Sequence, residues 1–180
     1  MRKVIANLFY ALDGVVESPN KWSGFDEDMG EKISAVIQRQ DDVMLGRTTY
    51  DDWAAYWPTS TDEPFAKFIN NVRKHVVSKS RKAVEWKNSR LLEGDLATEV
   101  RSLKAGPGRD IGTHGSIRLV QSLLKLGLVD ELILYVMPAV AGRGRHLFEP
   151  GIEPVHLALA ESRVTRTGIA ILTYTLSKAS

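Results

Sequence analysis

Between Lys3 and Val136 short apolar runs alternate with stretches of helical period, and this alternation restricts the possible folds more than any other feature of the chain. Lys3 to Tyr10, with Val4, Ile5, Ala6, Leu8 and Phe9, is a nearly continuous apolar run closed by Asp13-Gly14. That pattern belongs to a strand buried on both faces, hence a central one. Between Asp28 and Gln40, Met29, Ile33, Val36 and Ile37 fall on one helical face behind an acidic N-terminal end, which predicts an amphipathic helix. Asp42 to Gly46 reads as a short buried strand, and a helix carrying Tyr50, Trp53 and Trp57 starts at Thr48 or Thr49.

The same rhythm continues. Phe65, Phe68, Ile69 and Val72 have helical spacing, His75 to Ser78 is a strand, and Leu91 to Gly94 is a brief strand. Asp95 caps a helix through Leu96, Val100 and Leu103 that stops at Gly106-Pro107-Gly108. Ile111 leads into Gly112-Thr113-His114-Gly115-Ser116, read as a glycine-rich turn, and then into a helix with Ile117, Val120, Leu123 and Leu124. Glu131 to Val136 is a further strand. His156 to Val164 and Ile169 to Leu176 alternate in character around Thr167-Gly168, the mark of an antiparallel hairpin. The expected fold is α/β, with a predominantly parallel central sheet flanked by helices and a C-terminal antiparallel hairpin.

A chain of 180 residues with 43% hydrophobic content can build one sizeable core, so residues 1–180 are expected to form a single domain. No window reaches the length of a membrane span, and the N-terminus lacks a signal-peptide pattern, which predicts a cytoplasmic protein. The absence of cysteine rules out disulfides and thiolate chemistry. The four histidines are too scattered for a metal site, and none is expected. Lys+Arg and Asp+Glu number 24 and 22, a net charge of only +2, and the one basic cluster, Lys79-Ser80-Arg81-Lys82, has no interleaved aromatics; nucleic-acid binding is disfavoured.

In open α/β sheets ligands bind beyond the carboxyl ends of the strands, where helix N-termini offer free N–H groups. Three strand ends carry suitable residues: Gly46-Arg47-Thr48, Ser78-Lys79-Ser80-Arg81, and Gly112 to Ser116, where His114 is a candidate to face a phosphate. Together they suit a molecule with several phosphates. Neither a P-loop nor a Gly-x-Gly-x-x-Gly after the first strand is present, so a nucleotide kinase and a Rossmann dehydrogenase both lose ground. Asp13 is either a turn residue beside Gly14 or a ligand contact. Trp22 is a candidate lid or a packing residue, and Trp53, Tyr56 and Trp57 are either a substrate wall or core packing.

The order Leu12-Asp13-Gly14, Leu45 to Tyr50, Val76-Val77-Ser78, Gly115-Ser116 and Gly127 to Leu132, with Pro138, Gly142, Gly144, Leu147 and Phe148 downstream, resembles the reductase domain of riboflavin-biosynthesis deaminase-reductases over roughly Lys3 to Leu176. Those proteins are similar in fold to dihydrofolate reductase. The resemblance implies hydride transfer from NADPH to a small heteroaromatic or carbonyl-like substrate such as a pterin or aminopyrimidine. It implies the adenosine 2′-phosphate near Ser78, Ser80 and Arg81, the pyrophosphate between Gly46-Arg47-Thr48 and Gly115-Ser116-Ile117, and Ala6, Asn7, Asp13 and Gly14 beside the nicotinamide and substrate. The pterin-contacting carboxylate of dihydrofolate reductases has no clear match among Asp26, Glu27, Asp28 and Glu31, which leaves Asp13 and Asp28 as candidate acids. A stand-alone reductase-like domain, without a deaminase half, is expected. The competing expectation is a non-catalytic nucleotide-binding or regulatory module. A homodimer through the strand at 130–137, the 138–154 loop and the terminal hairpin is expected by analogy with similar proteins.

Overall fold

A computed structural model describes residues 1–150 and 155–176. One eight-stranded sheet organises the chain, in the order β4-β3-β2-β5-β1-β6-β8-β7. Its strands are β1 (Val4–Ala11), β2 (Gln40–Gly46), β3 (Arg73–Val77), β4 (Ser89–Leu92), β5 (Asp110–His114), β6 (Glu131–Met137), β7 (Leu157–Val164) and β8 (Ala170–Leu176). The helices are α1 (Glu27–Gln38), α2 (Arg47–Tyr56), α3 (Phe65–Asn71), α4 (Leu96–Ala105) and α5 (Ile117–Lys125). β1 pairs in parallel with β5 and β6, which places the apolar first segment at the centre as its composition requires. β8 runs antiparallel to β6 and carries β7 on the edge, so the terminal hairpin closes one side of the sheet. The part of the 138–154 loop beyond residue 150 lies outside the described residues.

Side-chain alternation along the strands divides the core by face. Val4, Ala6, Leu8, Met44, Ile111, Leu132 and Leu134 pack with Val100, Leu119, Val120 and Leu123 of α4 and α5. Ile5, Ile133, Tyr135 and Ile171 face the other way and take Met29 and Val36 of α1. Beyond them, Val43, Leu45 and Val76 pack with Tyr50, Ile69 and Trp86. Asp95 caps α4 as its sequence predicts, accepting from the Thr98 N–H at 2.9 Å. One boundary differs with consequences for the site. Gly112, Thr113 and His114 belong to β5 instead of to a turn, because Gly112 and Thr113 sit in register with Ile5 and Ala6 of β1.

Lys74 is fully enclosed, with Nζ donating to the carbonyls of Ile69 and Val72 at 2.8 and 2.9 Å and lying 4.5 Å from the Trp86 ring centroid. It closes the C-terminal end of α3. Burial, aided by the nearby Lys87 charge, brings its pKa down to about 8. Between that value and the unfolded value of about 10.4 the unfolded chain holds the proton more tightly, so stability rises with pH over this window. Relative to a Lys74→Met variant, the wild-type protein is expected to gain stability from pH 8 to 10. Urea titrations of both proteins at several pH values test this, and parallel curves would refute it.

Candidate functional site

The carboxyl ends of β2, β3 and β5 bring the three predicted strand ends onto one rim of the sheet. Gly46 is the N-cap of α2 and Ser116 the N-cap of α5, and neither helix start receives a side-chain cap. The reason at Ser116 is visible: its Oγ accepts a hydrogen bond from the Gly46 N–H at 3.0 Å, tying one turn to the other. Two helix N-termini therefore stand side by side with first-turn N–H groups uncapped, an arrangement suited to anionic oxygens. Gly115, at φ +66°, has open space where a side chain would stand, and its N–H is held by the Asn7 carbonyl at 3.2 Å.

The two arginines expected from separate motifs converge on one carboxylate. Arg81 Nε donates to Asp51 Oδ1 at 2.8 Å, and Arg47 Nη1 lies 3.5 Å from Asp51 Oδ2, one helical turn along α2. Arg81 also lies over the Tyr50 ring, 5.0 Å from its centroid, and donates to the Ala83 carbonyl. Ser78 Oγ accepts from the N–H groups of Ser80 and Arg81 at 3.2 and 3.0 Å, winding the loop so that Arg81 turns inward to Asp51. Arg47 and Thr48 are exposed beside the α2 N-terminus, and Ile117 is partly buried at the start of α5. Asp51 was not singled out in the sequence, although its i+4 spacing from Arg47 is a readable signal.

Other predicted residues have different surroundings. Ala6 is wholly enclosed on the α4 and α5 side of β1, so its methyl meets core and no solvent-facing surface. Gly112 is sheet interior: a Cβ there would stand 2.1 Å from Gln40 Oε1. It has no side chain because that space is filled by the Gln40 amide, bonded to His114 Nε2 at 2.9 Å. His114 is buried, edge-on to Phe65 and Phe68, and burial lowers its pKa to about 4, so it packs as a neutral ring against these side chains and Gln40. Trp53, Tyr56 and Trp57 form an edge-on aromatic set with Phe65.

Both candidate acids are engaged elsewhere. Asp13 accepts from the N–H groups of Gly142 and Ala141 at 2.7 and 3.3 Å, and the Gly142 N–H chiefly holds its carboxyl below the usual range. It clamps the loop after β1 to the loop after β6, next to Gly14, whose positive φ of 85° carries the chain between Tyr10 and His146. Asp28 accepts from Arg166 N at 3.1 Å and Arg163 Nη2 at 2.6 Å, and the Arg166 N–H with the two guanidinium charges keeps it ionised. Together with Asp26 to Thr167, Glu27 to Arg166 and Glu31 to Arg163, this turns the acidic start of α1 toward the β7–β8 hairpin. Trp22 packs over the α1-facing cluster and donates its indole N–H to Glu17 O at 3.0 Å. Asn7 lies on the same face, and neither amide atom has a partner among the described residues. No group of three or more potential metal ligands occurs among the described residues.

Sheet order, parallel centre and antiparallel closing hairpin define an α/β domain of dihydrofolate-reductase-like architecture. The chain belongs to the RibD C-terminal domain family, whose model matches residues 2–171. It is 29% identical over 180 residues to YyaP, an uncharacterized protein of Bacillus subtilis (strain 168), covering 96% of this chain and 94% of that one. Among solved structures, it is similar to a putative riboflavin biosynthesis protein from Shewanella sp. PV-4, with TM-score 0.77, 20% identity, and 98% and 99% of the two chains covered. It is also similar to Acinetobacter baumannii RibD, with TM-score 0.71 and 16% identity, where 98% of this chain corresponds to 58% of that chain. Among the described residues no helix is long and apolar enough to cross a membrane.

Proposed function

We propose that this protein is an NADPH-dependent reductase that transfers hydride to a small heteroaromatic or carbonyl-like substrate of the pterin or aminopyrimidine kind. The observation that carries the reading is the joined pair of uncapped helix starts, Gly46 N–H on Ser116 Oγ, with Arg47 and Arg81 gathered beside them on Asp51. The α2 and α5 N-termini suit the pyrophosphate, with Arg47, Thr48, Gly115 and Ser116 around it. Arg81 and the Ser78–Ser80 loop suit a further phosphate on the adenosine side, since a guanidinium already oriented by one carboxylate and an aromatic face spends little entropy on another oxyanion. Bound NADPH would supply the hydride, and the protein would supply orientation and exclusion of water. The tying up of Asp13 and Asp28 favours a second reading, a nucleotide-binding module without turnover.

Titration with NADPH and NADH, followed by tryptophan quenching and nicotinamide fluorescence, separates these readings. Charge-assisted hydrogen bonds contribute about 1.5–3 kcal/mol, so Arg47→Ala is expected to weaken NADPH binding about tenfold to a hundredfold, and Arg81→Ala to erase most of the preference for NADPH over NADH. Failure of the wild-type protein to bind either nucleotide would sink the proposal; binding without turnover on any pterin or aminopyrimidine would leave the module. The reading brings with it a cytoplasmic homodimer, for which β7 offers an edge strand with exposed Leu159 and Val164. Light scattering that finds only a 20.0 kDa particle would refute the dimer.

A further inference from the structure

Under α1 the sheet holds polar side-chain atoms with nothing to bond among the described residues. Both amide atoms of Asn7 and the hydroxyls of Tyr135 and Thr173 are buried without partners among the described residues. Asn7 and Tyr135 are only 7% and 2% exposed. Strand register places them together: Asn7 pairs with Ile133, and Tyr135 pairs with Phe9, the next residue of β1 on the same face. Phe9 meets the Tyr135 ring edge-on at 5.6 Å. Trp22 and Ile33 pack against this same cluster from outside the sheet. Buried polar groups are nearly always paired, and those that are not call for a missing partner. Several on one face, beside a strand whose carbonyl already holds Gly115 of the nucleotide rim, point to a ligand that enters between α1 and the sheet.

The chemistry of that face is neutral. The α1 residues packed against the sheet there are apolar, Met29, Ile33 and Val36, while its carboxylates at Asp26, Glu27, Asp28 and Glu31 bond the hairpin. A hydrogen-bond donor for the reacting substrate must then come from the floor of the sheet. We propose that Tyr135 donates its phenolic hydrogen to the substrate heteroatom that collects negative charge as hydride reaches the neighbouring carbon, with the Asn7 carboxamide holding the same edge of the substrate. The inference rests on the reductase reading above. Bound NADPH would supply the hydride of the new C–H bond, its dihydronicotinamide being the reductant. The π pair of the substrate C=N or C=O moves onto the heteroatom, which takes the Tyr135 proton, and the phenolate regains a proton from water. Burial raises the Tyr135 pKa, so the hydroxyl keeps its proton through the neutral range until the substrate needs it.

Two measurements test the proposal. Because the hydroxyl is unpaired in the ligand-free protein, the isosteric Tyr135→Phe variant should be more stable than wild type, with the unfolding constant reduced about fivefold or more, whereas a merely structural hydroxyl would leave stability unchanged or lower. The fluorescent lactam 6-methylpterin, titrated into protein loaded with NADP⁺, should bind wild type and lose about tenfold in affinity to both Tyr135→Phe and Asn7→Leu, the value of one hydrogen bond. A destabilised Tyr135→Phe, equal binding of the probe to all three proteins, or no binding to wild type would overturn it. Failure of the reductase reading shows separately, as absence of NADPH binding to the wild-type protein.

Discussion

An Asp42→Ala variant is expected to lose about 3 kcal/mol of folding stability, the cost of taking one carboxylate out of a buried charge network. Asp42 sits near the start of β2, 1% exposed, toward the amino ends of the parallel strands and so opposite the candidate site. Its carboxylate accepts from Arg2, from Arg73 at 2.7 Å and from His75 Nε2 at 2.7 Å. Arg90 donates to His75 Nδ1 at 2.9 Å; an arginine can only donate, so the imidazole proton is fixed on Nε2 and directed to Asp42. Removing the carboxylate takes one of two anionic partners from buried Arg2, which keeps Asp41, and leaves the His75 Nε2–H without its acceptor. Burial alone would raise the Asp42 pKa, but hydrogen bonds from His75 and Arg2 outweigh it and hold it well below the usual range. A carboxyl depressed in the folded state contributes stability that is complete above its unfolded pKa of about 3.9 and is lost as pH falls below it. Wild type should therefore lose this contribution in acid and Asp42→Ala should not, so the two urea midpoints converge below pH 4. A constant gap between them would refute the assignment.

Gly112→Ala is expected to cost about 3 kcal/mol, more than the usual penalty for adding one methyl to a core. The new Cβ would stand 2.1 Å from Gln40 Oε1 and 2.8 Å from His114 Nε2. Gln40 is 1% exposed and cannot swing aside without breaking its bond to His114, leaving two buried polar groups unpaired at about 1–3 kcal/mol each. Shortening Gln40 to alanine removes the worse of the two overlaps, so the double variant should be at least about 1 kcal/mol more stable than the sum of the single effects predicts. Additive losses would mean that Gly112 is needed for another reason. NADPH binding by the single variant, measured where it remains folded, distinguishes this structural role from a direct part in phosphate binding.

Much of the candidate site's geometry was legible because it is local. Gly46-Arg47-Thr48 and Gly115-Ser116 follow apolar strands and open helices, and such a junction announces itself in a few consecutive residues. The order of strands and helices was equally open to reading, since apolar period reports which faces are buried. What could not be read there had a common cause. Gly112 in isolation looks like a turn glycine, and only the register of β5 against β1 and β2 shows a strand residue making room for a side chain from Gln40. Asp28 looks like a catalytic carboxylate until the distant β7–β8 hairpin brings Arg163 and Arg166 to it, and Asp13 until the loop after β6 folds back to offer its N–H groups.

By itself, then, the sequence determined the α/β alternation, the central place of β1 and the strand-to-helix turns of the candidate site, because hydrophobic period and turn chemistry act between near neighbours. Tertiary structure alone decided which charges neutralise one another, that Arg81 joins Arg47 on Asp51, and that Asn7 and Tyr135 lie beneath α1 without side-chain partners among the described residues. Those partners are separated along the chain by tens of residues or by a strand crossing, and a side chain's chemistry is set by what finally stands beside it.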